Sequence, residues 1–129
     1  ISLKKLLKKL IKDYKINPKN VLGHSDISPD RKKDPGEKFP WKILIKNKLA
    51  YGHNLNENKL KKFRLIKLDV REKKFFLKNL FKLGYNSIKL KNSNYELKIL
   101  TKAFQRRFRQ SLINGIIDKE CLIITNKLV

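Results

Sequence analysis

Residues 21–41, VLGHSDISPDRKKDPGEKFPW, constrain the possible structure more than any other part of the chain. Pro29, Pro35 and Gly36 disfavour a regular helix or strand, so an irregular loop is predicted over residues 25–36. The loop and its flanks also carry one histidine, three aspartates and a lysine pair. Because binding and catalytic residues concentrate on loops held by a scaffold, we expect a functional site here.

His24 and Asp34 are the candidate metal ligands of this loop. An imidazole nitrogen and a carboxylate oxygen are both ordinary zinc ligands, and the prolines at positions 29 and 35 reduce the entropy lost in fixing them. Lys32 lies two residues before Asp34 and would bring a cation to the same centre. A cation there would stabilise an oxyanion that develops on a reacting carbonyl group.

Two other interpretations of the same residues remain open. One histidine and one aspartate in a polar loop are often solvated turn residues without a ligand. Asp26, Asp30 and Asp34 offer oxygen ligands to calcium, but their spacing and the neighbouring lysines fit a calcium loop poorly. Spacing alone does not decide between these interpretations.

Lysine-rich amphipathic segments lie on both sides of the loop. Residues 2–15 place apolar side chains at helical spacing with lysines opposite, which predicts a helix docked on a sheet or, alternatively, lying on a membrane surface. Val21 and Leu22 are predicted to form a very short strand. Further helices are predicted over residues 39–47 and, as a connector, over 59–68.

Residues 71–129 contain three stretches with apolar residues at helical spacing. We predict one helix that ends before Leu83-Gly84-Tyr85, a second over 95–111 and a third over 116–128 with Asp118 as its N-cap. The whole chain is thus predicted to be α+β and predominantly helical: a helix, a short strand, a metal loop and a helix, followed by a small three-helix bundle.

Arginines and aromatic residues alternate in FQRRFRQ (104–110), a composition that would also suit RNA binding. Phe104 and Phe108 are four residues apart, which places both on one face of a helix. We therefore favour an apolar core position for the two aromatics, with the arginines in solvent.

The formal net charge of +22 is compatible with nucleic acid or an anionic membrane as partner. The joint excess of Lys, Ile and Asn also matches A/T-rich codons, and bacterial envelopes are themselves anionic. We therefore favour a polyanionic environment over a specific nucleic-acid partner, which would bind with steep salt dependence.

Cys121 is the single cysteine, so an intrachain disulfide and a cysteine metal cluster are both excluded. It lies in the apolar run CLII (121–124), where a buried and inert thiol is expected. No apolar run in the sequence is long enough to predict a transmembrane helix.

The segment GHSDISPDRKKDPG (23–36), followed by KFPW, resembles a signature of the bacterial zinc-dependent N-acetylmuramoyl-L-alanine amidases of the AmpD/AmiD type. That family shows the pattern G-H-S-D-I-x-P-x-R-K-x-D-P-G, and every fixed position is matched from Gly23 to Gly36. The resemblance implies zinc-dependent hydrolysis of the amide bond between N-acetylmuramic acid and L-alanine. Peptidoglycan or muropeptides would be the substrates.

The resemblance also implies a role for each matching residue. His24 corresponds to the second zinc ligand, Asp34 to the third, and Lys32 to the lysine that polarises the carbonyl group. The residues that would shape the loop are Pro29, Pro35 and Gly36.

A second resemblance covers the C-terminal residues. The segments LGY (83–85), TKAFQRRF (101–108) and NGIID (114–118) are similar to three-helix peptidoglycan-binding modules. The two resemblances imply a C-terminal part of a zinc amidase domain at 1–55, a helical linker at 56–70 and the binding module at 71–129. They assign no individual peptidoglycan-binding residues.

In this family the first zinc histidine and a catalytic glutamate lie upstream of the motif, whereas residues 1–23 contain neither His nor Glu. We therefore expect a truncated, C-terminal remnant of the family's mixed α/β domain, inactive alone and completed by an upstream amidase half. His53 is not expected to bind metal. The alternative is a non-catalytic peptidoglycan-binding fragment. Either would act in the bacterial envelope or periplasm, with the cytoplasm as the other possibility.

Overall fold

The computed structural model describes residues 2–85 and 93–129, and this part of the chain is predominantly helical. Short 3-10 turns at Pro18–Asn20 and Lys61–Phe63 accompany the α-helices. None of the described helices is long and apolar enough to cross a lipid bilayer. The α-helices are α1 (Leu3–Tyr14), α2 (His24–Ile27), α3 (Trp41–Lys46), α4 (Glu57–Leu60), α5 (Val70–Lys82), α6 (Ser93–Phe108) and α7 (Lys119–Leu128).

Helix α1 forms where the amphipathic pattern predicts it. The Ser2 hydroxyl accepts a hydrogen bond from the Lys5 backbone N–H, and Lys15 ends the helix in a left-handed conformation (φ 51°). Leu7 and Ile11 pack on a small apolar cluster in the N-terminal part of the chain. The buried members of this cluster are Trp41, Leu44, Leu49 and Ala50.

The predicted strand at Val21 and Leu22 does not form. Val21 is extended, but residues 2–85 and 93–129 contain no strand that could pair with it. An unpaired strand would leave its backbone N–H and C=O groups without partners, so pairing decides whether a strand exists. Within the described residues, helix α1 accordingly packs on the small apolar cluster and not on a sheet.

A second and larger apolar core joins α5, α6 and α7. Phe76 and Phe104 meet edge to face at its centre, with ring centroids 5.5 Å apart. The predicted core positions of Phe104 and Phe108 are confirmed, since Phe104 is fully buried and Phe108 packs against the cluster. The buried residues of this core are Leu60, Leu68, Phe76, Leu80, Tyr85, Leu100, Ala103, Phe104, Cys121, Leu122, Ile124 and Leu128.

The helices of this core begin and end at recognisable capping residues. Asp69 and Glu72 form a capping box at the start of α5, and Gly84 follows its end with φ 99°. Asp118 caps α7 as predicted, because its carboxylate accepts the Cys121 backbone N–H. Helix α7 begins at Lys119 and not at the predicted residue 116, because Asp118 is extended (φ −127°, ψ 176°) and caps the helix that follows it.

The connector is less helical than predicted. Helical structure extends over Glu57–Leu60 and Lys61–Phe63 and then stops, so the predicted helix over 59–68 is wrong beyond that point. Leu65 adopts a left-handed conformation (φ 62°), and its N–H donates to the Asp118 carboxylate. This long-range hydrogen bond replaces the local one that a continuing helix would have used.

Arg109 lies inside the larger core and not in solvent, which corrects the predicted exposure of the arginines in FQRRFRQ. Its side chain is 1% exposed and donates to Asp118 at 2.6 Å and to Glu120 at 3.3 Å. Arg64 donates to the same Glu120 at 2.7 Å. Helical spacing correctly predicted that the two aromatic side chains are in the core. It contains no information on which arginines form ion pairs with buried carboxylates.

Cys121 is fully buried, and burial raises the pKa of its thiol to about 12. The expected inert thiol is thereby confirmed, because a thiol with this pKa forms almost no reactive thiolate near neutral pH.

Asp118 is the group whose loss should destabilise this core most. Burial raises its pKa, but the hydrogen bonds from Arg109, Cys121 and Leu65 outweigh burial and hold the pKa below its usual value. We predict that Asp118→Ala lowers the free energy of unfolding at neutral pH by about 3–5 kcal/mol, because Arg109 remains buried without this partner. Chemical denaturation of both proteins measures the difference.

The contribution of Asp118 to the free energy of unfolding depends on pH in a defined direction. It is complete above the unfolded-state pKa of about 4 and is lost as the pH falls through the lower folded-state pKa. The difference in free energy of unfolding between the wild type and Asp118→Ala should therefore become smaller as the pH is lowered below about 4. Asp13→Ala is the control, since this carboxylate is 47% exposed and should change stability by less than about 0.5 kcal/mol. Equal effects of the two substitutions would contradict the prediction.

Candidate active site

The structure brings together the two ligands predicted from the sequence. Nδ1 of His24, the first residue of α2, is in hydrogen-bond contact with Oδ2 of Asp34. The two side chains are 67% and 57% exposed, so the pair is open to solvent. The hydrogen bond from His24 and the nearby charge of Lys32 lower the pKa of Asp34. Asp34 is therefore an anion at neutral pH, as a metal ligand must be.

The backbone of the loop sets this geometry. The Ser25 N–H donates to the Asp34 carbonyl at 3.0 Å, which ties the end of the loop to the start of α2. Gly23 is required by close packing, because a Cβ there would lie 2.5 Å from Cδ of Pro35 and 3.3 Å from the Trp41 ring. Gly36 then turns the chain with φ 83°.

Lys32 and Pro29 lie on the other side of the same loop. The Lys32 N–H donates to the Ser28 carbonyl at 2.9 Å, and its exposed side chain lines a cleft together with Pro29. Lys32 is close enough for its charge to lower the pKa of Asp34. A cation, a carboxylate and an imidazole are thus combined at one loop.

His24 and Asp34 are of the right chemical type to bind zinc, but two side chains are fewer ligands than a zinc site normally has. Within residues 2–85 and 93–129, no group of three or more His, Cys, Asp or Glu side chains could hold a metal ion. A structural zinc site uses four protein ligands and a catalytic one usually three. His24 and Asp34 would supply two of them.

His53 is occupied by the protein backbone. Its Nδ1 accepts the Leu55 N–H at 3.2 Å, so its Nε2 carries the proton and donates to the Phe108 carbonyl at 3.0 Å. Both ring nitrogens therefore have structural partners, and a metal ion would have to displace one of them.

Asp26 fixes the position of α2, a role that the sequence did not indicate. Its carboxylate accepts hydrogen bonds from the Gly23 N–H at 2.9 Å, the Tyr85 hydroxyl at 2.5 Å and Nη1 of Arg107 at 2.8 Å. Burial and the Asp26 charge raise the pKa of Tyr85 well above its usual value, so the phenol stays a donor. The segment that carries His24 is thereby held on α6 and on Tyr85, which follows α5.

Arg107 is the centre of this contact between the two apolar clusters. Its guanidinium stacks on Trp41, with Cζ 3.7 Å from the ring centroid, and donates to the Tyr51 carbonyl at 3.2 Å. The side chains of Arg107 and Asp26 are only 3% and 7% exposed. Asp26 lies in the motif and Arg107 in FQRRFRQ, but no sequence pattern connects residues 81 positions apart.

A mainly apolar cavity of about 290 Å³ lies beside His24 and Asp34, which form its polar edge. Leu3, Leu6 and Leu22 are 41–51% exposed in this region of the molecule. The pair is thus accessible from a surface with unusual apolar exposure. The apolar lining residues are Leu3, Leu7, Val21, Leu22, Pro35, Phe39, Trp41 and Leu44.

Comparison with known proteins extends the resemblance beyond the motif. The chain is 34% identical to N-acetylmuramoyl-L-alanine amidase AmiD of Escherichia coli over 125 residues, which is 96% of this chain and 45% of AmiD. It is 48% identical over 45 residues to 1,6-anhydro-N-acetylmuramyl-L-alanine amidase AmpD of Haemophilus influenzae, covering 34% of this chain and 24% of AmpD. No family model matches the chain.

Solved structures of such amidases share the fold. E. coli AmiD, in complex with anhydro-N-acetylmuramic acid-L-Ala-D-γ-Glu-L-Lys, superposes with a TM-score of 0.80 at 32% identity, over 98% of this chain and 49% of AmiD. AmpDh3 of Pseudomonas aeruginosa, in complex with an anhydromuramic pentapeptide, superposes with a TM-score of 0.78 at 31% identity, over 98% and 49% of the two chains.

The fold and the motif relate the chain to cell-wall amidases. It is similar in sequence and in fold to N-acetylmuramoyl-L-alanine amidases of the AmpD/AmiD type. It spans about half the length of AmiD.

Asp26 should be far more important for stability than the other acidic residues of the loop. We predict that Asp26→Ala lowers the free energy of unfolding by about 3–5 kcal/mol, because Arg107 loses its buried anionic partner. Chemical denaturation at neutral pH measures this loss. Asp30→Ala is the matched control, since Asp30 is 51% exposed, contacts Arg31 at 3.9 Å and should contribute less than about 0.5 kcal/mol. A loss for Asp26→Ala as small as that of the control would disprove the anchoring role.

Proposed function

We propose that the chain acts as part of a zinc-dependent N-acetylmuramoyl-L-alanine amidase of peptidoglycan turnover. The reaction is hydrolysis of the amide bond between N-acetylmuramic acid and L-alanine. The observation that carries the proposal is the contact between His24 and Asp34, the two predicted zinc ligands, in a chain related to AmiD over 96% of its length. The solved complexes of AmiD and AmpDh3 with muropeptides support peptidoglycan fragments as substrates.

His24 and Asp34 would hold the zinc ion. A bound zinc ion supplies Lewis acidity to the reacting carbonyl group and lowers the pKa of water. Asp34 favours cation binding because its lowered pKa keeps it ionised. Lys32 is the positive group placed to stabilise negative charge that develops on the carbonyl oxygen.

The remaining ligand and the general base would come from an upstream amidase half. This part of the proposal is supported by the described residues, which offer two ligands at the pair where a catalytic zinc site uses about three. It is also supported by the share of AmiD that the chain matches, 45% of that protein. The 129-residue polypeptide alone is then expected to be inactive.

We propose a division into an amidase part at 1–55, a connector at 56–70 and a three-helix peptidoglycan-binding module at 71–129. The two separate apolar clusters support it, since one is built by α1 and residues 39–50 and the other mainly by α5, α6 and α7. The Asp26–Arg107 ion pair would fix the orientation of the module relative to the metal loop.

A second candidate is a non-catalytic peptidoglycan-binding fragment. It is favoured by the incomplete ligand set among the described residues. The two candidates are separated in a hybrid with the upstream part of E. coli AmiD: a catalytic chain should give hydrolysis that Asp34→Ala abolishes while wall binding survives, whereas a binding fragment should give no hydrolysis even without the substitution. Both candidates would place the chain in the bacterial envelope or periplasm, where its charge of +22 suits anionic surroundings.

A hybrid protein tests the catalytic role of this loop. Our chain replaces the matched region of E. coli AmiD, and hydrolysis of an anhydromuropeptide is followed by chromatography. We predict that Lys32→Ala lowers kcat about 100- to 1000-fold with little change in KM, as expected for an electrostatic group that acts in the transition state.

Lys33→Ala is the matched control, because Lys33 is the adjacent and equally exposed lysine. It should leave kcat within about threefold of the parent hybrid, the scale of an exposed charge. Removing metal with a chelator should abolish activity, and added zinc should restore it. A parent hybrid that hydrolyses the substrate but tolerates Lys32→Ala would contradict the role of Lys32.

A further inference from the structure

A cavity of about 290 Å³ lies between the segment from Lys19 to Ile27, the end of α5 and the end of α6. Of its described lining residues, Leu22 alone also lines the cavity beside His24 and Asp34. Ligand pockets in proteins have volumes of about 300 Å³ and above, so a cavity of this size suits a small molecule.

The wall of this cavity is mainly apolar and partly open to solvent. Leu83 and Phe108 belong to the wall and pack against the larger core. Leu22 and Ile27, by contrast, are 51% and 57% exposed. Covering exposed apolar side chains with an apolar group is favourable, because it removes both surfaces from water. The cavity therefore suits a ligand with an apolar body.

The charges of the wall favour a single negative charge on that ligand. Lys19 and Arg107 are cationic, and Asp26 is the single carboxylate among the described lining residues. Asp26 already accepts hydrogen bonds from Arg107 at 2.8 Å and from the Tyr85 hydroxyl at 2.5 Å. The Lys19 ammonium therefore has no carboxylate of the cavity wall left to neutralise it, and the local field attracts an anion.

Arg107 contributes a hydrogen-bond donor that the protein does not use. Its Nη1 donates to Asp26 and its Nη2 to the Tyr51 carbonyl at 3.2 Å. Within the part of the chain that the structure describes, its Nε is the one buried side-chain nitrogen or oxygen without a hydrogen-bond partner. A buried donor without an acceptor is costly. Because Arg107 lines the cavity, an oxygen acceptor bound there would be available to this guanidinium.

We propose that this cavity binds a small monocarboxylic acid with an apolar body, either aromatic or aliphatic. The body would pack against Ile27, Leu83 and Phe108, and the carboxylate would lie near Lys19. Such a ligand would contact α2, the residues after α5 and the end of α6 together, and would stabilise the folded chain by binding to it. The site is independent of zinc and of the proposed hydrolysis.

The test is calorimetric titration of the whole 129-residue chain with hydrocinnamate. An ionic strength of about 0.15 M screens binding to the many exposed lysines. Hydrocinnamamide has the same apolar body without the charge, and acetate has the charge without the body. We expect hydrocinnamate to bind at one site per chain, about threefold or more tightly than the amide and about tenfold or more tightly than acetate.

Ile27→Ser tests the apolar contact, and Ile43→Ser is its matched control. The two isoleucines are 57% and 56% exposed, but Ile43 lies on α3 and does not line the cavity. Ile27→Ser should weaken hydrocinnamate binding about fivefold, whereas Ile43→Ser should change it less than about twofold. Thermal unfolding of both variants checks that they are folded.

Lys19→Gln tests the charge, and Lys12→Gln is its control, since Lys12 is also exposed but does not line the cavity. Lys19→Gln should weaken binding of the acid about threefold and leave binding of the amide unchanged, whereas Lys12→Gln should change neither. Equal affinities for hydrocinnamate and acetate, or for hydrocinnamate and the amide, would overturn the proposal. Equal effects of the two members of either variant pair would overturn it as well.

Discussion

The stack of Arg107 on Trp41 and its ion pair with Asp26 connect the segment that carries His24 and Asp34 to the helical core. Arg107 belongs to α6, which contributes Leu100 and Phe104 to the larger core, and its guanidinium contacts Trp41 of the smaller apolar cluster and Asp26 of α2. Arg107 and Asp26 are almost completely buried, so each neutralises a charge that would otherwise be costly. The position of the loop therefore depends on the folding of α6.

Arg106, Arg107 and Arg109, on and just after α6, illustrate how charge is accommodated in this very basic chain. Arg107 and Arg109 are each neutralised by an internal carboxylate, in one case at the loop and in the other at the start of α7. Arg106 instead lines a basic cleft beside α6. The same physical requirement thus pairs a buried arginine with a buried carboxylate at two places in the fold.

Local patterns predicted a large part of this fold, because amphipathic spacing and capping residues act within a few positions. Helix α1, the core role of Phe104 and the cap at Asp118 follow from such short-range rules. The contact between His24 and Asp34 was expected from the resemblance of residues 23–36 to the amidase signature, whereas spacing alone had left other interpretations open.

Long-range partners could not be predicted in this way. The strand at residues 21–22 depended on a neighbour that the described residues do not supply, and the burial of Arg109 depended on Asp118 and Glu120. The link between Asp26 and Arg107 spans 81 positions with no repeating pattern between them. Hydrophobic periodicity says which face of a helix is buried, but not which charges are neutralised there.

Zinc binding by the 129-residue chain tests the central claim most directly, that His24 and Asp34 form a metal pair. Competition against a zinc-sensitive dye should detect one weak site per chain, because two ligands hold zinc less firmly than three. The site should disappear in His24→Ala and persist in His53→Ala, whose imidazole is bound to the backbone. Zinc binding that is absent from the wild type, or unchanged in His24→Ala, would contradict the account.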